Sequence, residues 1–487
     1  MISIVLTPCY HDFSYLCNTM KRRILTILWA VFAALSCAAQ PKGTVVYEPV
    51  RFEDGTAVSG DAEAEALFAQ DRFVTDTTLT EKGDTLFTVR HASAYIRMQL
   101  DGLPAGIDYI LLVPVFGEVR TVPVTETGSL AMWMAKEPGV LAAVAAVAKA
   151  PDGRIWSARL SGKDIQPGIA YRWEATLLPP EAPDHGLQAT LLPSTLLDID
   201  PGEYSGIAWL GGNQFAVVDD NLKGGGILRF SIPIDADGNV GTVLRQVAPG
   251  TAAADGKKRD TEGIAFVPSE NRLYVTSEKH QEIRGYDLNG NDADTSLQVP
   301  KDLKGIVDNN GFEALTYNET TGLFWTTTEA PLQADTFLPE ILRLQSFDHE
   351  GKPGRRYFYQ TGEPTQTSQK TVAYVFGVPA LAALDDGRLL VLEREVYVPQ
   401  GSLWEKLQGA FTDIHIYVVD PVHDTAGLLR KSLLCSFTTS ALNLANFEGM
   451  CLGPVLPDGR RTLVLIADSQ KGSGGLTNEF VKVILLR

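Results

Sequence analysis

Histidine and cysteine are scarce, seven and five in 487 residues. No CxxC pair and no Cys/His cluster occurs, which excludes the usual zinc and iron–sulfur frameworks. Basic residues are also in deficit: 42 Lys and Arg stand against 59 Asp and Glu, a formal net charge of −17. A field of that sign repels phosphate backbones, so nucleic acid is not an expected partner, whereas cations are. Beyond the N-terminal leader no apolar run approaches the roughly 18 residues that cross a bilayer. Nucleotide and serine-hydrolase signatures are missing too. There is no Walker loop and no dinucleotide fingerprint, and Gly224-Gly225-Gly226 reads as a loop before a strand. No G-x-S-x-G elbow exists, and KGSGGL at 471–476 lacks the strand-then-helix context that exposes a nucleophile.

The first 40 residues carry a leader. From Met20 the chain reads MKRRILTILWAVFAALSCAAQ, a basic start, an apolar run and then small residues, which is the pattern of a secretory signal. The expected start is therefore Met20, with residues 1–39 comprising an upstream segment and the signal. Two exits are open. Ala34-Leu35-Ser36-Cys37 is a loose lipobox that would leave a lipid-anchored Cys37, while cleavage within Ala38-Ala39-Gln40 would release a soluble protein. Either way the protein is expected to be exported: periplasmic, anchored at the outer membrane, or extracellular. Loss of 1–39 removes three basic residues and one acidic residue and takes the charge from −17 to −19. It also leaves only Cys435 and Cys451, each in an apolar strand-like run, where a thiol acts as a small hydrophobe; a disulfide between them remains open for an exported chain.

The length calls for two domains. Over 41–180, apolar segments such as AYIRMQL (94–100), DYILLVPV (108–115) and RIWSARL (154–160) alternate with turn signals, which predicts a β-sandwich. This part, with its closing GKDIQPGIAYRWEATL, resembles fimbrillin-type sandwiches of Bacteroidetes surface proteins, a likeness that implies a spacer or adhesive module. Proline-rich PPEAPDHG ends in a linker at 181–186.

From 187 to 487 the chain repeats. The copies begin YSGIAWLGGNQFAVVDD (204–220), TEGIAFVPSENRLYVTSE (261–278), FEALTYNETTGLFWTTTE (312–329), VPALAALDDGRLLVLERE (378–395) and FEGMCLGPVLPDGRRTLVLIAD (447–468). Each reads as a strand, a tight turn and a second strand, with one or two further strands to follow. Such meanders predict an all-β fold, a β-propeller preceded by the sandwich, with five blades favoured and six possible if 352–376 hides another. A large antiparallel sandwich is the other reading. The fifth copy lacks its last strand because the chain ends, and QATLLPSTLL (188–197) is expected to supply it.

In a propeller blade the start of the innermost strand and the end of the second lie on one face of the ring. The leading acids Glu262, Glu313 and Glu448 should therefore meet the trailing acids Asp219, Glu278, Glu329, Glu393 and Asp468 at one mouth of the channel. Ser205 and Pro379 stand where the other two leading acids would be, and Asp220 and Glu395 are near neighbours. Two like charges about 4 Å apart repel by roughly 4 kcal/mol at an effective dielectric near 20. Eight carboxylates at one rim must bind cations, hold protons or recruit basic neighbours. Lys279, Arg394 and Lys471 follow trailing acids and supply some compensation. Oxygen donors without histidine or thiolate favour calcium, then magnesium. The alternative is that strand ends favour solvated acids anyway. His280 is the only histidine beside this rim, and Trp209 and Trp325 read as packing residues.

The blade starts SGIAW, TEGIAF, FEAL and NFEGM, with their trailing acids, resemble the phytase-like propeller family with esterase-like activity of phytase over 187–487. That resemblance implies a calcium-dependent site for phosphate-ester hydrolysis. It would make Glu262, Glu313 and Glu448 catalytic and metal-binding, with Asp219, Glu278, Glu329, Glu393 and Asp468 completing the ligands. Lys279 or Arg394 would steady the anionic substrate, a small phosphomonoester or phosphodiester. Ser205 and Pro379 depart from the pattern, and the thin basic set speaks against phytate itself. Two rivals are a calcium-dependent lactonase or carboxylesterase, and a surface binding module with structural calcium.

Overall fold

The computed structural model describes residues 43–58, 71–79, 85–114, 119–124, 128–136, 143–161, 164–252, 258–303, 311–333, 335, 341–366, 371–440, 443–469 and 478–487. The leader, Cys37 and Lys471 lie outside them. Among the described residues the regular secondary structure is nearly all strand, and no helix is long and apolar enough to cross a membrane. It divides into two units between Pro179 and Pro180.

In the first unit two four-stranded sheets enclose one apolar core. Ala94–Asp101, Ser129–Met134, Ile169–Thr176 and Arg51–Phe52 form one sheet; Tyr109–Pro114, Arg120–Pro123, Ala143–Lys149 and Ile155–Ser161 form the other. Alternate residues of both, including Ile96, Met98, Leu112, Met132, Val144 and Leu160, point into the shared core. That is sandwich packing. A further three-stranded sheet joins Gly43–Tyr47, Thr85–His91 and Phe73–Leu79.

The second unit contains five sheets among its described residues, each an antiparallel meander. Their first strands are Tyr204–Gly211, Thr261–Val267, Phe312–Asn318, Thr371–Ala383 and Asn446–Val455, here called the first strands of sheets one to five. These strands contact one another in the cyclic order one, two, three, four, five, one. They therefore line a central channel, and a closed ring protects the sheets from exposing long edges. Residues 353–360 complete sheet three and 371–376 begin sheet four. Closure comes from both ends of the unit: Ala189–Leu191 and Thr195–Leu196 pair with the last strand, Phe480–Leu486. Apolar layers fill the space between sheets, for example Ala380, Leu392, Ile416, Phe447 and Leu465 between sheets four and five. Trp325 is packing, buried against Tyr357 with ring centroids 5.9 Å apart. Cys435 and Cys451 are free thiols, on different sheets, and burial pushes them up to about 11 and about 12 respectively.

Candidate active site

The recurring Glu-Gly and Glu-Ala pairs have a structural cause. In every sheet the pairing of first and second strands slips at the leading position: between Tyr204 and Gly206, Thr261 and Ile264, Phe312 and Ala314, Gly377 and Ala380, and Phe447 and Gly449. Such a bulge leaves one residue outside the ladder and re-aims its side chain. Ser205, Glu262, Glu313 and Glu448 are those residues, turned towards the channel. Backbone groups freed by the bulge find side chains, as Gly263 N–H donates to Thr276 Oγ1 at 2.7 Å and Thr326 Oγ1 donates to Ala314 O at 2.7 Å. The following residue must be small because neighbouring first strands approach closely here. A Cβ on Gly206 would fall 2.3 Å from Glu262 O, and one on Gly263 2.4 Å from Glu313 O.

The leading and trailing side chains converge on one cavity of about 530 Å³. Ser205, Asp220, Asp260, Glu262, Glu278, Glu313, Glu329, Arg394, Glu448 and Asp468 line it together with Pro364, Tyr374, Val375 and Phe376. Below it the channel narrows between Ile207, Ile264, Leu315, Pro379 and Met450 to about 10 Å³, roughly one water. The cavity is thus a blind pocket with an apolar floor.

Register shows which trailing residues take part. Glu278 N–H donates to Asp260 O at 2.9 Å and Glu329 N–H to Gly311 O at 3.0 Å; in sheet one the same bond is made by Asp220, to Glu203 O at 3.1 Å. In sheet four Arg394 stands two residues after Leu392, the partner of Ala380, just as Asp220, Glu329 and Asp468 stand two after the partners of Gly206, Ala314 and Gly449. The trailing ring is therefore Asp220, Glu278, Glu329, Arg394 and Asp468. Asp219 and Glu393, expected as ligands, are each one residue short of it, and in a strand one residue is the opposite face. Asp219 sits opposite Tyr204 in the ladder, and its Oδ1 accepts from Asn221 N–H at 3.1 Å. Glu393 is buried behind the ring, accepting from Lys431 Nζ at 2.6 Å, Gly362 N–H at 2.9 Å and Tyr359 Oη–H. Lys279 also fails to reach the cavity: it follows Glu278 at the strand end, where the chain turns outward, and is exposed, as is His280. Asp260 escaped the sequence reading because it precedes the repeat; it adopts φ 54° and aims a carboxylate into the pocket.

Charge is unevenly placed around the ring. Burial raises the carboxyl pKa values of Glu262, Glu313 and Glu278, and mutual repulsion adds to it: Glu448 and Asp220 act on Glu262, and Glu262 and Glu329 act on Glu313. Asp220 is pushed up to about 8 by burial, with Glu203, Asp219 and Asp260 adding to it. Glu278 is partly relieved by Gly311 N–H, which donates to its Oε1 at 2.6 Å. Opposite them lies Arg394. Its Nη2 meets Glu329 Oε1 at 2.5 Å and Glu448 Oε1 at 3.1 Å, and its Nη1 donates to Asn446 Oδ1 at 2.9 Å. Asn446 Nδ2 in turn donates to Glu448 Oε1 at 2.8 Å. Burial works against the guanidinium charge, but Glu448, Glu329 and Glu313 outweigh it and hold Arg394 protonated. Its Nε is buried without a partner.

Could this donor set hold a metal? Oxygens of Asp220, Asp260 and Glu262 lie within 4.8 Å of one another, and so do those of Glu262, Glu278 and Glu313. The two groups share Glu262. Among the described residues no histidine or cysteine lines the cavity, so the chemistry suits a hard cation of the calcium or magnesium kind. Buried carboxylates this close, with the arginine on the far side, also need positive charge.

Among solved structures the chain resembles the β-propeller domain of Cps50 (Swd1) from Myceliophteria thermophila (11% identity, 61% of this chain and 99% of that one, TM-score 0.27). It also resembles a family AA12 carbohydrate-active enzyme from Trichoderma reesei (13%, 62% and 96%, TM-score 0.31). A third is the periplasmic gluconolactonase PpgL of Pseudomonas aeruginosa (14%, 77% and 96%, TM-score 0.26). Identities this low say nothing of substrate. No curated protein matches the chain. The family model for phytase-like proteins, described as esterase-like activity of phytase, matches residues 199–470, which span the first four sheets and the Asn446–Val455 and Arg461–Asp468 strands of the fifth. The chain belongs to this phytase-like family.

Proposed function

We propose that the chain is an exported, calcium-dependent hydrolase of phosphoric esters, acting in the blind cavity at the channel mouth. One observation carries the reading: two carboxylate groups that share Glu262 face a buried arginine across a pocket of small-molecule size. Asp220, Asp260, Glu262, Glu278 and Glu313 would hold the cation, which when bound supplies positive charge to a phosphoryl oxygen and offsets the repulsion among its ligands.

The protein's own groups do the rest. Arg394 offers the cavity's only guanidinium among the described residues, clamped by Glu329, Glu448 and Asn446 so that it need not be ordered when an anion arrives. A rim carboxylate left free of the cation would take the proton of the attacking water and give it to the departing alcohol. The apolar floor keeps bulk water out from below. Hydrolysis of para-nitrophenyl phosphate and its bis-ester, each with calcium and with chelator, tests the proposal alongside a lactone. Chelator-sensitive release from a phosphate ester supports it; turnover of the lactone alone, or of nothing, rejects it.

A further inference from the structure

Sheet four differs from the others at the cavity end. Its first strand has 13 residues and its second 11, against seven, eight or ten and six or eight in the other sheets. The excess, Thr371–Phe376 paired with Glu395–Pro399, lies beyond the level of Arg394 and so projects past the rim. At its base the arm packs closely against sheet three: a Cβ on Gly377 would fall 2.5 Å from Glu329 O. This arm turns Tyr374, Val375 and Phe376 into the cavity wall. Phe376 is half-buried, while Tyr374 is 39% exposed. Pro364 joins them from the preceding segment.

The wall is fixed before any ligand arrives. Glu395 accepts from Thr365 N–H at 2.8 Å, Thr365 Oγ1–H at 2.7 Å and Gln366 N–H at 2.9 Å, which ties the Pro364 segment to the arm. Tyr397 stacks on Phe411 with centroids 5.5 Å apart and stiffens the arm from its next strand. A preformed apolar wall in a cavity that is otherwise ionic suits a ligand with two unlike ends. The cavity, at about 530 Å³, is far larger than a phosphoryl group needs. Arg394 is the single cation among the described residues that line it, too few for a polyphosphorylated polyol.

We infer that the substrate is a phosphate ester of an apolar or aromatic alcohol, with its phosphoryl group between Arg394 and the carboxylates and its organic group against Tyr374, Phe376 and Pro364. This deepens the hydrolase reading and rests on it. Benzyl phosphate and glycerol 1-phosphate, whose alcohols are of similar acidity, test it with calcium present. Wild type should favour benzyl phosphate in kcat/KM by about tenfold, the scale of modest apolar contacts in a pocket. The ratio should fall to near unity in Tyr374→Ser/Phe376→Ser, through KM for benzyl phosphate, and persist in Tyr374→Phe/Phe376→Leu. No preference in wild type, or a preference that survives the serine pair, overturns the inference. Binding of benzylphosphonate and methylphosphonate separates its failure from that of the hydrolase reading. Should neither ester be cleaved, hydrolysis is rejected, yet tighter benzylphosphonate binding that the serine pair abolishes still supports the wall. Equal binding of the two phosphonates, or none, rejects it.

Discussion

The two sides of the cavity are built from the same repeat and solve opposite problems. On the side of sheets one to three, Asp220, Asp260, Glu262, Glu278 and Glu313 are crowded together with raised proton affinity. Across from them, Glu329 of sheet three and Glu448 of sheet five share the Arg394 guanidinium of sheet four, which opposes the burial that raises Glu448. One substitution at the trailing position, arginine for an acid, separates a structural ion network from a site that waits for an external cation. The difference teaches that acid count is a poor guide to a metal centre; what matters is which acids the protein has left uncompensated.

Breaking the neutralised side should have the largest effect. Arg394→Met leaves Glu329 and Glu448 buried without their partner and should cost about 3–5 kcal/mol of stability in denaturant titrations. The waiting side should respond differently. Under chelator, Glu262→Gln removes an acid whose ionisation burial and its neighbours oppose, and should be no less stable than wild type. With calcium at about 100 times its dissociation constant, wild type should gain about 2.7 kcal/mol and the variant almost none. A variant that is destabilised equally with and without calcium would erase the distinction between the two sides.

Close approach of the first strands supplies an intermediate test. Gly263→Ala drives a Cβ against Glu313 O and should cost about 1–3 kcal/mol, whereas Gly322→Ala, in open space at φ 67°, strains only its own turn. The pH dependence sharpens the comparison further. A carboxyl whose pKa is raised on folding keeps its proton in the native state while the unfolded chain, titrating near 4, has lost it. Metal-free stability should therefore fall as pH rises from about 4 through the raised values, Asp220's being about 8. Calcium replaces those protons, so the slope should flatten when it is present. Thermal unfolding across that range, with and without chelator, reads both slopes. Smallest of all, Lys279→Ala should leave stability within about 0.5 kcal/mol and calcium binding unchanged, since the side chain is exposed outside the cavity.

Much of this was legible in the residues. Glu262, Glu313 and Glu448 recur before Gly or Ala and an apolar strand because each occupies a bulge beside a close strand contact, and both demands leave a mark in sequence. Glu278, Glu329 and Asp468 could be read because a single acid ends each second strand. Where two candidates stood side by side, Asp219 with Asp220 and Glu393 with Arg394, the choice depended on bulge register, which is a pairing between strands and not a property of either one. Asp260 lies before the repeat and reaches the cavity through a left-handed backbone, so no periodicity could point to it. The ring closure was visible as a missing last strand and a spare first one. The overhanging arm was not, since length beyond the rim means nothing until the rim is located.

Diffraction from crystals grown with calcium, with anomalous differences measured for the ion, addresses the central claim most directly. Density is predicted within 2.3–2.6 Å of oxygens from Glu262 and at least two of Asp220, Asp260, Glu278 and Glu313, and not beside Arg394. An empty acidic side at saturating calcium, or an ion held by Glu329 and Glu448 instead, would contradict it.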